Sequence, residues 1–149
     1  MIDSSTLVDL ACLTLGAISV AIGPILGART AEPLGRMALA AATFPPLASL
    51  GLFYSLAIHM HRSLGGWPRA IGDEGFPPGL VMHADFALFT FGFVALGCIF
   101  FWPIAVLLCA CVPRMQSGLR YLGVYALACA AAYGAMMLAP DPFLYWWWD

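Results

Sequence analysis

His59, His61, His83 and Asp85 are the side chains here with the widest chemical repertoire, and they bracket one glycine- and proline-rich stretch between two long apolar runs. They include all three histidines of the chain. Neutral imidazole is the commonest side-chain ligand of transition metals, and a carboxylate either joins the metal or orients a histidine from behind. His59 and His61 close one apolar run while His83 and Asp85 open the next, so an antiparallel helix pair brings all four to similar depth. The set is a candidate metal or haem site, and the same groups can handle a proton or a polar substrate. Spacing restricts it. Residues two apart on a helix point about 200° apart, so one member of each pair faces a shared centre unless the helix ends fray. A competing reading needs no ligand: a helix C-terminus favours His⁺ and a helix N-terminus favours a carboxylate such as Asp85, so capping and interfacial hydrogen bonding account for the same residues.

The elements that must position these groups are membrane spans. In 149 residues, 62% are hydrophobic and 9% charged, with mean hydropathy +0.90, far from the balance of a soluble globular chain. A helix needs about 20 mainly apolar residues to cross the hydrocarbon layer. Four such runs occupy about 7–28, 37–60, 84–112 and 119–139. The expected fold is all-α: a single transmembrane domain over 1–149, built as a four-helix bundle with an ordered loop between helices 2 and 3. The start of the chain carries Asp3 and Asp9 without an early Arg or Lys, unlike the positive leader of a cleaved secretory signal, so the first span is expected to stay in the mature protein.

Arginine placement sets the expected orientation, because short basic loops stay cytoplasmic. The first and third connectors hold Arg29, Arg36, Arg114 and Arg120; the second connector holds Arg62 and Arg69. Both termini are therefore expected outside the cytoplasm, with the bacterial inner membrane as the default location. Net charge is −2 and the bases are six scattered arginines, which makes no phosphate-tracking patch, so nucleic acid is not an expected partner. Membrane lipid is.

Cys12, Cys98, Cys109, Cys111 and Cys129 all lie in apolar runs, and none has the two-residue gap of redox or zinc motifs. They read as small packing residues, with S-acylation near the cytoplasmic end of the third span as the alternative. Cys12, Gly16, Ser19, Gly23 and Gly27 make one small-residue ridge on the first span, and Ala126, Ala130 and Gly134 make another on the fourth. Such ridges let membrane helices approach closely. Pro24, Pro45, Pro46 and Pro103 interrupt spans one to three, where each removes a backbone donor and kinks are expected. Phe86, Phe89, Phe93 and Phe100 share a broad face of the third span with Gly97. That face suits plain packing against lipid or helices, and also the border of a quinone, haem or pigment.

Trp67, Ile71 and Phe76 stud the connector between spans two and three, which a floppy linker would not require. An ordered loop on the membrane surface is expected, touching the C-terminus on the same side. There Tyr145, Trp146, Trp147 and Trp148 follow Pro140 and Pro142. With Trp67 they are expected to make interfacial contacts, since Trp and Tyr favour the headgroup level; a docking tag for a protein partner is the alternative.

No catalytic or cofactor motif stands out, so a non-enzymatic reading is favoured and no cofactor is assigned beyond a possible metal or haem. A small four-span pump would place an acid well inside a span, whereas Asp9 and Asp85 lie near span ends. Four-span thiol oxidoreductases pair cysteines outside the membrane. The leading expectation is an accessory or structural subunit of a larger membrane protein complex. Its alternatives are a redox or metal/haem-handling protein using the outer histidines, and a small-solute transporter component.

Overall fold

The computed structural model describes residues 35–68, 72 and 75–149. The expected first span, its small-residue ridge, Pro24, and the loop positions Arg69, Ile71, Asp73 and Glu74 lie outside the described residues. The described chain is helical and contains no strand. Helix α1 is Arg36–Leu64; α2 is Pro78–Leu96; a π-helical turn at Gly97–Phe101 joins it to α3, Trp102–Cys111; a 3₁₀ turn at Pro113–Met115 leads to α4, Gly118–Met136; and a short α5 covers Asp141–Trp148. Three continuous helical runs, Arg36–Leu64, Pro78–Cys111 and Gly118–Met136, are long and apolar enough to cross a membrane.

Local chemistry explains where these helices start and stop. Gly65 ends α1 in the left-handed conformation (φ 66°), which glycine adopts without a Cβ clash. Pro77 is extended and Pro78 opens α2, where a missing N–H costs nothing and the fixed φ already suits a helix. The third run therefore begins at Pro78 rather than near residue 84. Asp85 is thus about two turns inside α2, and no acid occupies its first turn. That corrects the expected N-terminal role of Asp85, because a helix dipole acts only within the terminal turn. Likewise α1 runs on to Leu64, leaving His61 and Arg62 in its last turn and His59 behind them.

The three long runs alternate in direction. The Gly35 N–H donates to the Tyr121 hydroxyl at 2.9 Å, and the Tyr54 hydroxyl donates to the Ala135 carbonyl at 2.6 Å, so α1 and α4 run parallel. Trp102 Nε1 donates to the Leu122 carbonyl at 3.0 Å, tying the α2–α3 run antiparallel to α4. Arg36, Arg114 and Arg120 consequently share one end of the molecule, and Arg62 marks the other. The core gathers at the Arg62 end: Phe53, Leu56, Ala57 and Met60 of α1 recur at helical spacing and face Leu80, Ala84 and Ala87 of α2.

The proline positions have different local outcomes. Helix α1 continues through Pro45 and Pro46, with the Thr43 hydroxyl donating to the Leu39 and Ala40 carbonyls at 3.0 and 3.3 Å. Before Pro103 the backbone widens: the Trp102 N–H bonds to Gly97, five residues back. A wide turn moves the carbonyl at Ile99 away from a proline ring that would otherwise strike it. On α4 the expected ridge is not the packed face, since Ala130 and Gly134 are exposed while Gly123, Ala132 and Met136 are buried.

Candidate functional site

The α1–α2 pair brings together two of the four expected site residues. His59 Nδ1 and His83 Nδ1 are 3.0 Å apart, with ring centroids at 5.2 Å and planes inclined by 35°. Ser55 stands one helical turn before His59 and places its Oγ 3.3 Å from His83 Nε2. Three side chains on two helices thus form one hydrogen-bonded chain, Ser55–His83–His59. Its polarity is reversible. If the His83 Nε2–H donates to Ser55, the His83 Nδ1 lone pair accepts from the His59 Nδ1–H; if Ser55 donates, both bonds invert. Both imidazoles are half-buried and Ser55 is exposed, so the chain leads from a helix interface to the surface.

His61 and Asp85 do not join it. The imidazole of His61 lies edge-on to Trp67, centroids 4.7 Å apart and planes at 63°, and Asp85 is exposed on α2. Two-residue spacing turns each away from its neighbour's direction, as helical geometry requires. Among the described residues, no three His, Cys, Asp or Glu side chains gather closely enough to hold a metal ion. His59 and His83 can supply two cis ligands to a metal, with remaining positions left to water or another molecule. As they stand, they are equally suited to passing a proton between imidazoles.

The aromatic C-terminus is divided by its own helix. Phe143, Trp146 and Trp147 recur at helical spacing and are buried, while Tyr145 and Trp148 are exposed. Trp147 meets Phe53 at 4.9 Å in a T-shaped contact, and Phe53 also meets Phe143 at 5.0 Å. Phe91 of α2 closes the other side, 5.5 Å from Trp147. From the connector, Trp67 lies 6.0 Å from Phe143 and Phe76 lies 5.9 Å from Trp146, whose Nε1 donates to the Gly72 carbonyl at 3.2 Å. Two of the indoles expected at the headgroup level therefore lie inside an aromatic cluster. The signal for this was in the sequence: Pro142 suits a helix's first turn, and 143, 146 and 147 then share a face.

Beside this cluster an apolar groove of about 300 Å³ is lined by Tyr54, Ala57, Ile58, His61, Arg62, Trp67 and Pro140. A second polar group, missed by reading cysteines only at short spacings, sits at the π turn. Cys98 Sγ is 3.4 Å from Cys129 Sγ and its thiol donates to the Tyr125 hydroxyl at 3.6 Å. The available signal was depth, because Cys98 and Cys129 lie at similar distances from the connector 112–117 that joins their helices. No family model, curated protein or solved structure matches this chain.

Proposed function

We propose that this chain is a small integral membrane protein, a four-span bundle of the bacterial inner membrane with both termini outside the cytoplasm, and that it serves as a non-enzymatic accessory or structural subunit of a larger membrane assembly. The observation that carries this reading is the Pro78–Cys111 run, of whose most apolar stretch only 6% is buried. Phe86, Phe89, Phe93 and Phe100 stand exposed along it, a rigid aromatic face of the kind that packs against a neighbouring helix. The orientation is supported by Arg36, Arg114 and Arg120 sharing one end, and Tyr145, with the exposed edge of Trp148, offers an aromatic surface to lipid headgroups or a partner.

Purification from native membranes in mild detergent, with a photo-crosslinker at Phe89 or Phe93, tests this reading. A stable heteromeric adduct is expected, and a solitary monomer with no copurifying protein overturns it. Reporter fusions at the C-terminus test the orientation, which a cytoplasmic reporter would reverse.

The His59–His83 distance of 3.0 Å favours a second reading, a redox or metal/haem-handling membrane protein, since imidazole nitrogens this close can take two cis positions on one ion, while a haem would take one of them as an axial ligand. Metal analysis and an absorption spectrum of the purified protein decide it. Stoichiometric metal or haem lost in His59→Ala and His83→Ala is the supporting result; content unchanged by both substitutions is the opposing one.

A further inference from the structure

Cys98 and Cys129 are separated by one connector and lie on different helical runs, yet their sulfurs are 3.4 Å apart. Closing them to a disulfide requires an approach of about 1.4 Å, given a bond of roughly 2.05 Å. Three features make this junction unlike ordinary helix packing. Gly97 brings the two helices close: a Cβ added there would sit 3.2 Å from the Tyr125 hydroxyl. Cys98 lies within the π turn Gly97–Phe101, a widened backbone that accommodates local shifts more readily than a regular helix and recurs at functional sites. Tyr125, one turn before Cys129, accepts from the Cys98 thiol at 3.6 Å and donates to the Val94 carbonyl at 3.5 Å. Its hydroxyl positions the Cys98 sulfur against its partner.

We propose that Cys98 and Cys129 form a redox modification site, a dithiol that closes to a disulfide between the α2–α3 run and α4 when hydrogen peroxide reaches it. The chemistry balances in two steps. One sulfur, as thiolate, attacks a peroxide oxygen; the O–O bond breaks, the sulfur becomes a sulfenic acid, and the departing oxygen leaves as water after taking a proton. The second thiolate then attacks the sulfenic sulfur; the S–S bond forms, the S–O bond breaks, and a second water leaves. Two thiols lose two protons and two electrons, and one peroxide becomes two waters. Both sulfurs are half-buried, so a small uncharged oxidant has access that bulky or charged disulfides lack. Of the remaining described cysteines, Cys109 is buried and Cys111 is exposed. Cys109 packs beside Gly118, where an added Cβ would lie 3.1 Å from its sulfur.

The test uses the full-length protein in native membranes, treated with hydrogen peroxide, alkylated with N-ethylmaleimide and digested for mass spectrometry. A linked peptide pair joining Cys98 to Cys129 within one chain, lighter by two hydrogens and released by dithiothreitol, is expected to exceed every other pairing. Cys98→Ser and Cys129→Ser should each abolish the link, with a sulfenic acid trapped by dimedone on the remaining sulfur in at least one of them, and Cys111→Ala should leave the link intact. The proposal is overturned if both sulfurs stay alkylatable while Cys111 is oxidised in the same sample. It is equally overturned if the dominant link joins another cysteine or two chains, or disappears in Cys111→Ala.

Discussion

Phe53→Ala is the substitution that most directly tests the aromatic cluster as the joint between α1, α2 and the C-terminal helix. Phe53 is 0% exposed and makes two edge-to-face contacts across elements, at 5.0 Å with Phe143 and 4.9 Å with Trp147. Contacts of this type contribute about 0.5–1.5 kcal/mol each, so their loss costs about 1–3 kcal/mol. The truncated ring also leaves a cavity that its neighbours fill only in part. A soluble core would lose about 3–5 kcal/mol for this change. In a membrane or micelle the unfolded ring is already surrounded by apolar tails, so the transfer contribution shrinks and the expected loss is about 2–4 kcal/mol. The assay is equilibrium unfolding in mixed micelles titrated with sodium dodecyl sulfate, followed by tryptophan fluorescence. Phe44→Ala is the control, since Phe44 lies on the same helix but is 70% exposed, and its expected change is within about 0.5 kcal/mol. Equal losses for the two variants, or no loss for Phe53→Ala, would refute the burial of Phe53 under α5.

Three further outcomes follow from single contacts. Tyr54→Phe removes the 2.6 Å bond to the Ala135 carbonyl while keeping the ring, and should lower stability by about 1 kcal/mol in the same titration. Gly65→Ala meets no atom within 4 Å, so its expected cost of about 1 kcal/mol is purely the left-handed backbone at φ 66°; a neutral result would place the end of α1 elsewhere. Trp146→Phe keeps a buried aromatic ring, though a smaller one, and loses the N–H donated to Gly72. Faster proteolysis in the 65–77 connector is expected, with the helical content by circular dichroism unchanged.

Much of the architecture was legible in the residues because helices long and apolar enough to cross a membrane announce themselves by length and apolarity. The runs at 37–60, 84–112 and 119–139 fall within or beside the helices Arg36–Leu64, Pro78–Cys111 and Gly118–Met136. Helix ends were less legible, since hydropathy marks where a chain becomes apolar whereas Gly65 and Pro78 mark where its backbone can turn or start. That difference matters for the histidines. A hydropathy boundary placed His83 and Asp85 at a helix start, but the proline start puts both inside α2, where the helix dipole no longer accounts for Asp85.

Sequence alone determined the all-helical class of fold and the limit that two-residue spacing sets on each histidine-bearing pair, because those follow from apolar runs and helix geometry within one segment. Which member of each pair faces its counterpart depends on the rotation of α1 against α2, a long-range property, and only tertiary structure selected His59 and His83 over His61 and Asp85. The same holds for Cys98 and Cys129, whose contact requires the crossing of two helices and a π turn that no local spacing encodes. Tertiary packing likewise divided the tryptophan run, turning Trp146 and Trp147 toward Phe53, Phe76 and Phe91, setting Trp148 at the rim against Phe91 and Tyr133, and leaving Tyr145 outside.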